Sequence, residues 1–179
     1  MKLLTALSLI GVAVASARPH HVTRSGTVNA NTNATESFYL KTSGAENSAH
    51  NDLYVYGYHT GAGLNDAVLT ADVETASKAH LNGTRVEFDY NTAFPWGLSP
   101  VGVTNYARWQ YVQINAGEGQ EGFSVDGTEL KWSEELGFGG WLVCDWYHNA
   151  PQLFYIYRYY TPEFPASCSE VKLLTEPAA

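Results

Sequence analysis

Acid–base cleavage of a sugar polymer needs two carboxylates facing each other across a cleft, with aromatic rings that hold the substrate by stacking. One region of the chain has the required richness. GFGGWLVCDWYHNAPQLFYIYRYY, residues 137–160, carries two Trp, five Tyr, a Cys, an Asp and a His. Asp145 stands between Cys144 and Trp146, where withdrawal from water would raise a carboxyl pKa. The other acids considered for a pair are Asp89, Asp126, Glu134 and Glu135. Asp126 is accounted for by a turn with Gly127, and Glu134-Glu135 fall in a polar connection, which leaves Asp145 without an identifiable second carboxylate. A glycoside hydrolase using Asp145 is therefore the minor reading. Trp96, Trp109 and Trp141 remain as rings that could form a platform to hold a sugar without cleaving it.

Other chemistries find less support. There is no GxSxG elbow, and both cysteines have a better use than nucleophilic attack. His20 and His21 precede the first strand, and His50, His59, His80 and His148 lie near expected turns. No HxH or HExxH spacing appears, so neither a metal site nor a cofactor is expected. Trimming to His20 would expose an amine beside an imidazole, a pair suited to copper, but needs a further cut after one at Ala17.

The ends and the composition bound the setting. MKLLTALSLIGVAVASA has Lys2, an apolar run and Ala15-Ser16-Ala17, and reads as a secretory signal peptide over residues 1–17. That run is shorter than the roughly 20 residues a membrane-spanning helix needs. Residues 18–36 carry Ser, Thr, Asn and Gly with almost nothing apolar, and read as a flexible leader. Sequons at Asn33 and Asn82 mark expected glycosylation sites. Removing residues 1–17 takes away one base and no acid, which moves the formal charge from −8 to −9. Neither nucleic acid nor an anionic membrane is expected as partner, since both are held by clustered Lys and Arg. Cys144 and Cys168, in an oxidising compartment, are expected to pair, closing a loop worth about 3 kcal/mol in the chain-entropy model.

These residues need positioning by strands. FYLKT (38–42), LYVYGYHT (53–60), RVEFDY (85–90) and ARWQYVQIN (107–115) are short, aromatic and β-branched. SGAENSAHND, GAGLND, FPWGLSP and AGEGQEG read as the turns between them. FSVDGTELKW reads as a hairpin turning on Asp126-Gly127. TADVETASKAH (70–80) is the one helix candidate, with Asp72 as cap. Sixteen Gly and seven Pro among short strands indicate one all-β domain over residues 37–175, an antiparallel barrel or sandwich. The length would also allow a β-trefoil, although no internal repeat is evident.

The aromatic stretch then reads as a hairpin turning on His148–Pro151. Alternation puts Leu142, Cys144, Trp146, Phe154 and Ile156 on one face, taken as the inward one. The opposite face, with Trp141, Val143, Tyr155 and Tyr157, is apolar too. It is either covered, the preferred reading for Trp141, or a display of rings to solvent.

The pattern LYVYGYHTGAGLNDAVLTA, followed by GFSVDGTELKW, GWLVCDWYHNAPQLFYIY and PASCSEVKL, resembles a group of small secreted fungal proteins. The group includes domain-of-unknown-function families and, more distantly, cell-wall proteins of phialide and conidium development. The likeness covers most of residues 38–174 and brings no catalytic residues with it. The chain departs from the wall-protein branch in having fewer cysteines and a longer segment over 91–110. The resemblance implies an extracellular or wall-associated β-rich protein with one disulfide. The expected function is a non-enzymatic structural or interaction role at the cell surface, with cell-wall polysaccharide as the candidate partner. The alternatives are a carbohydrate-binding module or a small glycosidase.

Overall fold

The computed structural model describes residues 36–100, 102, 108–159 and 163–178. The expected signal peptide, the leader, Asn33 and the copper candidate at His20 lie outside the described residues. Twelve strands carry the fold: β1 (Phe38–Ser43), β2 (Tyr54–Gly61), β3 (Leu64–Thr70), β4 (Ala79–Asn82), β5 (Arg85–Phe88), β6 (Trp96–Pro100), β7 (Trp109–Ala116), β8 (Ser124–Asp126), β9 (Glu129–Lys131), β10 (Phe138–Asp145), β11 (Pro151–Tyr157) and β12 (Cys168–Pro177). Nine of them close an antiparallel barrel in the order β1-β4-β5-β6-β7-β3-β11-β10-β12, with β12 pairing back on β1. β2 bridges β1 and β3, and the β8–β9 hairpin continues the sheet from β12. The domain is a single all-β unit.

The barrel interior takes one residue in two from each strand. Leu40, Val55, Val86, Ile114, Leu153 and Leu173 are fully buried there. The aromatic hairpin is β10–β11, and its main core face is the one carrying Trp141, Val143, Leu153 and Tyr155. The face taken as inward from alternation is instead an outer layer: Leu142, Cys144, Phe154 and Ile156, covered in part by Trp109, Tyr111 and Phe164. Both faces are covered, so alternation alone could not rank them. Trp146 leaves this layer because β10 ends at Asp145, and its ring is 53% exposed. Cys144 and Cys168 sit opposite each other in the β10–β12 register and form the disulfide.

Several expected turns and the expected helix are corrected. Residues 70–80 form no helix. Asp72 Oδ1 instead accepts from Glu74 N (3.1 Å) and its Oδ2 from Thr75 Oγ1 (2.8 Å), closing one tight turn. The chain then runs extended into β4, with Ser77 N donating to Val55 O; sheet pairing overrides a weak helix preference. FPWGLSP contains β6, whose Leu98 is core and whose Pro100 falls on the last strand residue, where a proline costs little. GAGLND holds a two-residue turn, Ala62-Gly63, and the start of β3. The β8–β9 hairpin turns on Gly127-Thr128, one residue later than expected, with Gly127 at φ 63°. Thr128 O accepts from Thr175 N at 2.7 Å, which ties that loop to β12.

Candidate functional site

Period-2 alternation in β2 sends Val55 inward and Tyr54, Tyr56 and Tyr58 outward. Their register partners on β3 are Thr70, Val68 and Asp66. The short β10–β11 connection, which carries Asn149 at φ 55°, brings Trp146, Tyr147 and His148 to the same edge of the barrel. His148 Nε2 lies 2.8 Å from Asp66 Oδ2, and the Tyr58 ring stacks on the imidazole at 4.1 Å between centroids and 25°. Tyr147 meets the same imidazole edge-on at 5.2 Å. Trp146 stands edge-on to Phe154 at 5.4 Å.

This group is held from below. Asp66 Oδ1 accepts from Gln113 Nε2 at 3.3 Å, Gln113 Oε1 accepts from Asn115 Nδ2 at 3.0 Å, and Asn115 Oδ1 accepts from Asn65 N at 3.3 Å. His148 and Asp66 are therefore set in place, while Tyr58 (40%), Trp146 (53%) and Tyr147 (83%) present their rings to solvent. Burial raises the Tyr56 phenol above its ordinary pKa, so it stays a neutral hydroxyl beside them. Aromatic faces next to fixed polar groups can stack on the apolar face of a sugar and bond its hydroxyls.

The three tryptophans read as a platform do not form one. Trp141 is 2% exposed and donates its indole N–H to Leu130 O at 2.8 Å. Trp96 pairs with Ala116 at one end of β7 and Trp109 begins the other end, about 23 Å away at strand rise. Trp96 is engaged with Thr92 Oγ1 and Tyr90, and Trp109 with Phe164.

Asp145 is not the buried acid its neighbours suggest, since its side chain is 63% exposed. Its partner is His50, whose Nε2 lies 3.3 Å from Asp145 Oδ1 and whose Nδ1 lies 3.1 Å from Ser169 Oγ. The three residue types match those of a nucleophilic triad, but the burial is inverted. The serine and the histidine are buried and the carboxylate faces water, whereas acyl transfer needs an accessible hydroxyl and a sheltered acid. The network fixes the turn at Ser48–His50 to β12 beside the disulfide.

The remaining acids are also engaged. Asp89 and Glu87 flank His80, at 3.1 Å and 3.6 Å. Glu134 pairs with Arg158, Asp126 reaches Lys131 at 3.9 Å, and Glu135 donates its backbone N–H to Ser133 Oγ. Asn82 is exposed on the β4–β5 turn, its amide donating to Glu87 Oε1 at 3.0 Å. Among the described residues no group of His, Cys, Asp and Glu is arranged to hold a metal ion.

A family model matches residues 35–177, the whole span of the barrel. The chain belongs to DUF7907, a domain of unknown function. No curated protein and no solved structure matches the chain. Among the described residues no helix is long and apolar enough to cross a membrane. The DUF7907 match spans the strands that hold Tyr58 and Asp66, the β10–β11 connection that holds His148, and the strands that hold the disulfide.

Sequence reasoning missed the Tyr58–His148–Asp66 group. The three lie on separate elements, and only a barrel that sets β3 beside β11 brings them together. Trp146-Tyr147-His148 at a strand end, ahead of a proline, was the available signal for exposed rings.

Proposed function

We propose that this DUF7907 protein is a secreted, wall-associated and non-enzymatic protein of fungal type that holds cell-wall polysaccharide on the rim formed by Tyr58, Trp146 and Tyr147. The observation that supports the reading is the set of exposed rings around an imidazole–carboxylate pair that is itself fixed by a chain of amides. The signal-like segment over 1–17, the disulfide and the excess of acidic residues accord with life outside the cell. The test is a pull-down of the secreted protein on chitin, β-glucan and cellulose, with soluble sugar measured in the same samples. Wild type is expected to be retained on at least one polymer and to release no sugar. Trp146→Ala/Tyr147→Ala should fold and lose retention. A wild type retained by none of the polymers sinks the reading, and sugar release abolished by Asp145→Asn would replace it with the glycosidase.

A further inference from the structure

The closed barrel has a local gap in strand pairing beside the start of β10. β10 pairs with β12 over Trp141–Cys144, and β12 pairs with β9 through Leu173 and Leu174, so among the described residues no strand faces Phe138–Gly140 on that side. The gap is a cleft of about 450 Å³, within the range of small-molecule pockets. Trp132, Phe138 and Trp141 form its floor and Tyr157 one side. The opening is braced. Trp141 Nε1 spans it to Leu130 O, and β10 enters through a bulge at Gly139-Gly140, with Gly140 at φ 148°. A Cβ on Gly139 would come within 2.8 Å of the Arg158 backbone, so only glycine lets the two strands approach so closely there.

The charges around the cleft are mostly satisfied by neighbours. Arg158 is held by Glu134, both at the carboxylate (3.5 Å) and at the carbonyl (2.8 Å). Lys131 reaches Asp126 at 3.9 Å, and Glu129 reaches Lys172 at 3.7 Å. Glu170 is exposed on the rim and makes no ion pair or side-chain hydrogen bond among the described residues. The cleft thus offers the small accessible parts of Trp132, Phe138 and Tyr157 and a carboxylate, Glu170, that makes no ion pair among the described residues. Its complement is a small ligand with an apolar face and a positive charge.

We propose that this cleft binds a small organic ammonium, with its ring or chain on the aromatic floor and its charge against Glu170. The inference does not rest on the sugar-binding rim, which is built from other strand ends. Two sources supply this chemistry, a free amine and the amine of a deacetylated amino-sugar unit, and the probes separate them. The full secreted chain is titrated by calorimetry and tryptophan fluorescence with a glucosamine tetramer, its N-acetylated counterpart and cyclohexylamine. At least one ammonium probe is expected to bind, with the N-acetylated tetramer weaker by about tenfold or more. Glu170→Gln should weaken the ammonium probe about tenfold, the loss of one exposed-rim charge contact, and Glu170→Lys should abolish binding. All titrations are run on the Trp146→Ala/Tyr147→Ala protein, so that sugar held on the rim does not contribute. Binding of the tetramer alone assigns the site to a polymer amine, and binding of cyclohexylamine as well assigns it to free amines. If neither ammonium probe binds, if the N-acetylated tetramer binds equally well, or if Glu170→Gln has no effect in a protein of unchanged stability, the proposal is wrong.

Discussion

Trp141 and Trp146 sit five residues apart in one aromatic stretch, and the structure gives them opposite roles. Trp141 is 2% exposed, packs on Phe138 at 4.7 Å, lies parallel to Phe123 at 6.5 Å and donates to Leu130 O. Trp141→Ala removes a buried indole, which costs about 3–5 kcal/mol by cavity formation. It also strips a buried carbonyl of its donor, a further penalty of about 1–3 kcal/mol. About 4–8 kcal/mol is a large share of the roughly 5–15 kcal/mol that holds a domain together, so this variant should be close to unfolded at room temperature. Trp141→Phe refills part of the space without the N–H and should fall between, at about 1–3 kcal/mol. Trp146 is 53% exposed with one edge contact to Phe154, so Trp146→Ala should stay within about 1 kcal/mol of wild type. Urea unfolding followed by far-ultraviolet ellipticity, which does not depend on the removed fluorophore, reads the three midpoints at unchanged slope. A Trp141→Phe protein as stable as wild type, or a Trp146→Ala protein as weak as Trp141→Ala, would refute the placement of the core behind the Trp141 face.

Gly97→Ala should destabilise by about 3 kcal/mol or more, measured by thermal unfolding, because the new methyl would overlap the backbone of Glu118 and Gly119, which cannot rotate away as a side chain can. Replacing Cys144 and Cys168 together by Ser should cost about 2–5 kcal/mol and lower the urea midpoint. At the β1–β12 edge, the Tyr54 hydroxyl (2.8 Å) and then the Lys41 ammonium (3.2 Å) hold the Glu176 carboxyl below its ordinary pKa. A lowered folded-state pKa contributes stability above the unfolded value of about 4.3 and loses it as pH falls through the folded value. Glu176→Gln should therefore flatten the acid limb of a melting-temperature profile, by under about 1 kcal/mol since the pair is exposed. Gly57→Ala should lower the melting temperature, because the added Cβ would run into the Tyr90 hydroxyl, which burial and Ser77 keep in place.

What the residues could show of this fold was the inventory of strands, not their neighbours. FYLKT, LYVYGYHT, RVEFDY and ARWQYVQIN fall on β1, β2, β5 and β7 because short β-branched and aromatic runs bounded by Gly and polar residues have few other ways to bury themselves. The strands that escaped, β3, β4 and β6, share a different feature. Each follows residues with strong turn or helix preferences, Gly63, Ser77-Lys78 and Pro95, and pairs most extensively with a neighbour in the chain, β2, β5 and β7 respectively. Their second neighbours, β7 and β11 for β3 and β1 for β4, lie farther away in the chain, and no short window of sequence contains those pairings. The shift of the hairpin turn from Asp126-Gly127 to Gly127-Thr128 has the same origin, a hydrogen bond from Thr175 nearly fifty residues away.

The site was less legible than the fold for a related physical reason. Aromatic residues serve burial and recognition with the same surface, and period-2 alternation cannot separate the two when both faces of a hairpin are apolar. In β10–β11 the deciding fact is where the strand stops. Asp145 is the last residue of β10, so Trp146 and Tyr147 leave the sheet and expose their rings, while Trp141, four residues earlier, points into a closed barrel. Polar partners show the same logic in reverse. His148 finds Asp66 and His50 finds Asp145, each across the barrel wall, and neither pair has a spacing that a motif could encode. Among the described residues the exposed rings of the rim and the cleft beside β10 fall at a strand end and at a gap in pairing, the places where a closed barrel must leave side chains and backbone uncovered. The rim at Tyr58 and the cleft beside Glu170 are two such places, and the Trp146→Ala/Tyr147→Ala and Glu170→Gln variants probe them separately.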